Sequence, residues 1–155
     1  MLRIDLPGQP PLELHHLVLD FNGTLALRGA VVADVAERLQ RLSTHLELHC
    51  VTGDTFGTAR AALDGLPVSL HVLPATAQSV AKRDFLAALE GGTVAIGNGW
   101  NDRLMLERAD LGLAVLMNEG AAGATLMAAR ALFPSILDAL DALIVPGRMV
   151  AVLRD

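Results

Sequence analysis

A single cysteine, a single lysine, few aromatic residues and no long apolar run set the first limits on this 155-residue chain. One thiol, Cys50, cannot make an internal disulfide, and it falls inside an apolar strand pattern, so it reads as a buried reduced thiol rather than a nucleophile. Aromatics make up 3% of the residues and the formal net charge is −5, which supplies neither base-stacking platforms nor a phosphate-tracking basic surface. Nucleic acid is not an expected partner. The apolar fraction is 52%, yet Arg, Asp or Glu interrupts every stretch before it approaches the about 18 apolar residues of a membrane helix. Asp5 and Pro7 break any secretory apolar region at the N-terminus. A cytoplasmic protein with no membrane partner is expected.

What is present fits one domain, residues 1–155, with no linker, repeat or low-complexity tract. Strands and helices alternate from Leu17 onward, which predicts an α/β fold, a three-layer Rossmann-like parallel sheet flanked by helices. Strands are expected over residues 17–20, 46–51, 68–73, 93–96, 111–116 and 131–133. A helical pattern runs through Val32, Val35, Leu39 and Leu42, and a second helix, capped by Thr55, covers 56–63. Further helices are expected over 78–89, 101–109, 121–129 and from Pro134 through Leu143, with Pro146 closing the last. Residues 1–14 read as a small hairpin around Pro7-Gly8. Connections are short, so no cap domain is inserted and the site edge is expected to lie open.

Ligands of an open parallel sheet bind beyond the carboxyl ends of the strands. Leu17 to Thr24, Leu-Val-Leu-Asp-Phe-Asn-Gly-Thr, reads as a buried strand that stops on Asp20, followed by a tight turn at Gly23 and Thr24. A carboxylate there can attack phosphorus, with turn N–H groups receiving the phosphoryl oxygens. Thr52-Gly53-Asp54-Thr55 and Gly97-Asn98-Gly99-Trp100-Asn101-Asp102 reach the same edge. Eleven of the twelve basic residues are arginine, and the exception is Lys82. A dianionic phosphate cannot approach an aspartate unless cations offset the repulsion, and one lysine supplies part of that charge.

Together the four segments resemble the four motifs of the haloacid dehalogenase superfamily of phosphoryl-transfer proteins. The Thr-Gly-Asp and Gly-Asn-Gly-x-Asn-Asp runs look most like the phosphorylation domain of P-type ATPases, and the whole chain is similar to small, capless, soluble P-type ATPase-like proteins. This resemblance implies that Asp20 is the nucleophile and a Mg²⁺ ligand, and that Asn22 ligates the metal through its backbone carbonyl. It further implies that Thr52 bonds a phosphoryl oxygen, that Lys82 neutralises phosphate charge and keeps Asp20 ionised, and that Asn98 and Asp102 complete the metal site. Gly23, Thr24, Gly53 and Asn101 are the implied substrate contacts.

Two carboxylates usual in active members are amides here. Asn22 replaces the general acid and base, whose loss costs about 10²–10⁴ in rate, and Asn98 replaces a metal-ligating aspartate. The expected activity is a slow Mg²⁺-dependent phosphohydrolase or phosphotransferase acting on a phosphorylated small molecule or nucleotide. The alternative is a catalytically weakened phosphate- or nucleotide-binding regulatory protein. A receiver domain is disfavoured, because Asp20 ends the first major strand without an acidic pair. His15, His16, His45, His49 and His71 lack the short helical spacing of a zinc site and read as structural or surface residues. Asp54 reads as a helix cap, and Trp100 as either a pocket-lining or a core residue. An apolar-rich surface over an uncapped site suggests homo-oligomerisation.

Overall fold

Near-continuous apolar runs are what strands buried on both faces require, and the sheet is built from them. The computed structural model of the protein describes residues 1–54 and 57–154. Nine strands are present among them: β1 (Leu2–Ile4), β2 (Leu12–Asp20), β3 (Ala26–Leu27), β4 (Ala30–Val31), β5 (Glu47–Thr52), β6 (Ser69–Val72), β7 (Gly92–Gly97), β8 (Leu111–Val115) and β9 (Ala131–Phe133). The helices are α1 (Val35–Ser43), α2 (Ala59–Ala62), α3 (Gln78–Ala87), α4 (Arg103–Arg108), α5 (Gly123–Ala128), α6 (Ile136–Ile144) and α7 (Pro146–Leu153). The main sheet runs β6-β5-β2-β7-β8-β9, all parallel, and β1 adds to β2 in the antiparallel sense.

Alternation along β2 divides the core into two layers. Leu17 and Leu19 join the larger cluster with Leu39, Leu140 and Leu143 on the side of α1 and α6. Val18 faces the other way, with Val51, Leu86, Ala95 and Met105 beneath α3 and α4. His16 and Asp20 share the Val18 face by the same period. The strand order reverses direction at β2, with β5 on one side and β7 on the other, which makes its carboxyl end the switch point of the sheet.

Several boundaries depart from the sequence reading for physical reasons. The hairpin strand and the central strand are one continuous strand, because His16 is buried in the sheet rather than marking a break. The β3–β4 hairpin was not expected. Its turn uses positive φ at Arg28 and Gly29, and Arg28 carries no turn signal. Val32 lies before α1 rather than inside it. Pro146 opens α7 instead of ending the chain's helices, since a residue without an N–H fits the first helical position. The helix expected from Pro134 begins at Ile136, capped by Ser135 Oγ, which accepts the Asp138 N–H at 3.2 Å. The helix expected from Asn101 starts as a single 3₁₀ turn, Trp100–Asp102, and continues as α4. The Thr55 cap and the Phe56 helix start fall outside the described residues, and α2 covers only Ala59–Ala62. No helix is long and apolar enough to cross a membrane among the described residues.

Candidate active site

Three neighbouring strands, β5, β2 and β7, end on Thr52, Asp20 and Gly97, so their following turns meet at one edge. From α3, which covers this face, Lys82 reaches down with none of its side chain exposed. Its ammonium donates to Asp20 Oδ1 at 2.5 Å and to Asp102 Oδ1 at 2.7 Å. Asp102 Oδ2 accepts the backbone N–H groups of Asn98 and Gly99 at 3.0 and 2.9 Å, which pins the turn after β7. The lone lysine of the chain thus ties two strand-end loops together through two buried carboxylates.

A polar cavity of about 190 Å³ opens in front of this cluster, lined by Asp20, Asn22, Thr52, Gly53, Asp54, Gln78, Asn98, Gly99 and Asn101. Thr52 Oγ1 accepts the Asp54 N–H at 3.1 Å, which leaves its own hydrogen free to donate into the cavity. Asp54 also accepts the Ala59 N–H at 3.1 Å, so it braces the start of α2 while fixing the Thr52 loop. A Cβ on Gly53 would stand 2.1 Å from Gln78 Nε2 and push that side chain aside, whereas Gly23 in the turn after β2 is needed as glycine, since at φ +78° it would place a Cβ 2.6 Å from Asn98 Nδ2. Thr24 and Asp102 are fully buried and do not line the cavity; the Thr24 hydroxyl faces Asn98 Oδ1 at 3.4 Å.

The charges are unbalanced, with two carboxylates sharing one ammonium. Burial, followed by the neighbouring Asp102 charge, pushes the Asp20 carboxyl up from its ordinary value to about 7, against the pull of Lys82. Lys82 was expected to keep Asp20 ionised. In the structure, desolvation and Asp102 outweigh it. The Lys82 ammonium is itself held above its ordinary value: burial, the largest effect, opposes the charge, and the two carboxylates overcome it.

The donors around the cavity suit a hard dication. Asp20, the Asn22 carbonyl and Asn98 Oδ1 offer oxygens that could hold one, beside a cluster with two carboxylates and a single ammonium. Asn98 Nδ2 donates to the Gly120 carbonyl at 3.0 Å, which turns its amide oxygen toward Thr24 and the β2 turn.

Two neighbours of the site carry no sequence signal. By sequence Gln78 is only a helix start, yet it lines the cavity and accepts from Asn101 Nδ2 at 2.8 Å. Glu119 lies beside Gly23, with Oε2 3.0 Å from where a Cβ on that glycine would stand. Neither had a motif to announce it. Trp100 belongs neither to the pocket nor to the core: it is 61% exposed, and the Arg103 guanidinium stacks 4.2 Å from its ring centroid. Cys50 is buried, and burial raises its thiol well above the ordinary range, as an inert core thiol requires. A larger cleft of about 420 Å³, lined by Leu2, Arg41, Leu42, Thr44, His45, Leu143, Ile144 and Pro146, gathers no carboxylate and lies away from these groups.

No protein-family model matches the chain. An uncharacterized protein of Methanocaldococcus jannaschii is 45% identical over 62 residues, covering 40% of this chain and 67% of that protein. Among solved structures, a Streptomyces avermitilis protein assigned to the HAD family of hydrolases superposes with a TM-score of 0.68 at 16% identity, over 85% of each chain. The 3-deoxy-D-manno-octulosonate 8-phosphate phosphatase of Moraxella catarrhalis, solved with magnesium, phosphate and the sugar acid, gives 0.70 at 13% identity over 90% of this chain and 91% of that one. A zinc-transporting PIB-type ATPase in its E2.Pi state gives 0.64 at 24% identity, over 79% of this chain and 20% of the transporter.

Proposed function

Since the chain has the haloacid dehalogenase fold and belongs to the same family as the Methanocaldococcus protein, we propose that it is a Mg²⁺-dependent phosphohydrolase or phosphotransferase whose nucleophile is Asp20. The observation that carries this reading is the Lys82 ammonium bridging Asp20 and Asp102 at the edge of a polar cavity. Lys82 occupies Oδ1 of Asp20, so Oδ2 is the attacking oxygen. A new O–P bond forms there as the bond from phosphorus to the leaving group breaks. Thr52, the Gly53 N–H and Asn101 hold the phosphoryl oxygens, and Gln78 orients Asn101. Gly23 admits the close approach of the Asn98 amide to the β2 turn, and Thr24 braces that amide from behind.

Bound Mg²⁺ would supply charge to offset the phosphate and to keep Asp20 ionised. Asp20, the Asn22 carbonyl and Asn98 would hold it, with Asp102 acting through water and through its grip on the Asn98 loop. Asn22 cannot donate or accept the proton that an acid would, so the aspartyl-phosphate forms from good leaving groups and is hydrolysed slowly. The substrate class is a phosphorylated small molecule, an acyl phosphate or a nucleotide, taken at an edge that no inserted domain covers among the described residues. A second copy of the chain shielding this edge is part of the proposal.

Acid-stable phosphate labelling in the presence of Mg²⁺ tests the mechanism, using a panel of phosphomonoesters, acyl phosphates and nucleotides. Wild type should incorporate label from at least one of them, and Asp20→Asn should incorporate none. Equal labelling of the two proteins would remove the nucleophile assignment. Binding of phosphate and Mg²⁺ without any label would favour the regulatory reading.

A further inference from the structure

Away from the phosphoryl site, three histidines and a glutamate on adjacent strands form a connected cluster. The register sets His16 opposite Glu47 and Val18 opposite His49 across β2 and β5, and Val51 opposite His71 across β5 and β6. Period-two alternation turns all four side chains to the face that α3 covers. There the Phe85 ring lies 5.6 Å from His49 and 4.5 Å from His71, centroid to centroid. His16 Nδ1 is 3.2 Å from His49 Nε2, and His49 Nδ1 is 3.2 Å from His71 Nε2.

The polarity of this chain follows from its end. His16 Nε2 lies 3.0 Å from the Glu90 carbonyl, which can only accept, so the His16 proton sits on Nε2. A neutral His16 then presents a lone pair at Nδ1. That lone pair accepts from His49 Nε2 at 3.2 Å and also lies 3.5 Å from Glu47 Oε2, which has no proton to offer it. A cation in place of the His49 proton would be shared by all three atoms.

We propose that His16 Nδ1, His49 Nε2 and Glu47 Oε2 form a binding site for a borderline transition-metal dication of the zinc class, separate from the hard-oxygen site at Asp20. Tetrahedral bonds of about 2.0–2.1 Å set neighbouring ligand atoms about 3.3–3.4 Å apart. The 3.2 and 3.5 Å separations bracket that value, and all three atoms lie within 4.8 Å of one another. The outer contacts are also in place. A metal-bound imidazole orients itself by donating its other N–H to a carbonyl or similar acceptor. His16 has the Glu90 carbonyl for this, and His49 Nδ1 has His71 Nε2.

Metal uptake moves the His49 proton from Nε2 to Nδ1 and the His71 proton likewise, so each ring stays neutral and no proton is released. Burial lowers the proton affinity of His49, helped by the adjacent rings, and burial does the same for His71, which keeps the ligand nitrogens available at neutral pH. The Glu47 side chain is 74% exposed, which opens a fourth position to water. Two imidazoles with one carboxylate suit Zn²⁺ or Co²⁺ and offer little to Mg²⁺.

The test titrates Zn²⁺ into the full chain at saturating Mg²⁺ while long-range nitrogen–proton spectra follow each imidazole. Zn²⁺ should shift His16 Nδ1 and His49 Nε2 and leave the rings of His15 and His45 unmoved. Glu47→Gln alters only an exposed carboxylate, so it should fold as wild type and bind Zn²⁺ at least about tenfold more weakly. Unmoved His16 and His49 resonances would overturn the site. So would equal affinity in the Glu47 variant, or a His16 ring that responds to protons but not to zinc.

Discussion

Lys82→Met is the most demanding test of the active-site electrostatics, because it removes one charge and nearly nothing else. The ammonium is fully buried between Asp20 Oδ1 at 2.5 Å and Asp102 Oδ1 at 2.7 Å, and Asp102 is itself wholly inaccessible to water. Removing one partner of a buried ion pair costs about 3–5 kcal/mol, since it strands the other charge. For a chain of this size each kcal/mol moves the melting temperature by about 2–4 °C, so a loss of about 6–20 °C is expected. The loss must depend on pH. Asp20 already binds its proton up to about 7, far above the ordinary carboxyl value of 3.8, so the folded state holds this proton more firmly than the unfolded chain does. Folding stability therefore falls as pH rises through that window, by up to about 1.4 kcal/mol per pH unit. Without Lys82 the window extends to still higher pH. Melting curves of variant and wild type should differ most near about pH 9 and less near about pH 5.5, where Asp20 carries a proton and the remaining loss is that of the Asp102 partner. A small, pH-independent difference would show that Lys82 is a solvated helix residue, and would refute both the geometry and the nucleophile assignment.

Mg²⁺ competes with the same proton, so the metal-induced rise in melting temperature should be larger at about pH 8 than at about pH 6; a pH-independent rise would place the metal away from Asp20. Asn22→Asp should speed release of acid-stable label by about 10²–10⁴, measured by chase with unlabelled substrate, while leaving label formation from good leaving groups little changed. Gly53→Ala sets a methyl against Gln78 Nε2, so it should displace Gln78 and weaken phosphate binding by isothermal titration, with the far-ultraviolet circular dichroism preserved. Glu119→Gln should weaken Mg²⁺ affinity if the carboxylate beside Gly23 adds to the metal's field, and an unchanged affinity would assign Glu119 to the surface.

The parts of the site that the sequence announced are those built within a few residues of a strand end. Asp20, Thr52 and Asn98 follow apolar runs directly, so locating the strands located them, and the uniqueness of Lys82 singled out a residue from the facing helix. The fold class was legible for the same reason, because buried parallel strands alternate with amphipathic helices. What could not be read is what pairing across the sheet creates. His16, His49 and His71 stand 33 and 22 residues apart along the chain and meet only because β2, β5 and β6 are neighbours in register. Gln78 reaches the cavity, and Glu119 the Gly23 turn beside it, from segments without a phosphate-binding pattern. The β3–β4 turn was hidden because a positive φ at Arg28 is imposed by the folded hairpin rather than suggested by the residue.

The two amides at 22 and 98 and the bridging lysine belong to one electrostatic arrangement. With Asp20 ionised, Asp20 and Asp102 contribute two negative charges and Lys82 one positive, so the cluster is then a single charge short of neutral before any metal enters. Carboxylates at 22 and 98 would have added two further negative charges around the same cavity, deepening the metal site while repelling the phosphate. With amides, one bound Mg²⁺ would turn the cluster net positive, and a dianionic phosphate would meet attraction instead of a balance of opposing fields. On this proposal metal affinity and proton transfer would be reduced together, whereas the attraction for a phosphoryl group would be kept. On the proposed mechanism such a site would favour acquiring phosphate over releasing it, and the covalent intermediate, rather than the free enzyme, would accumulate during turnover.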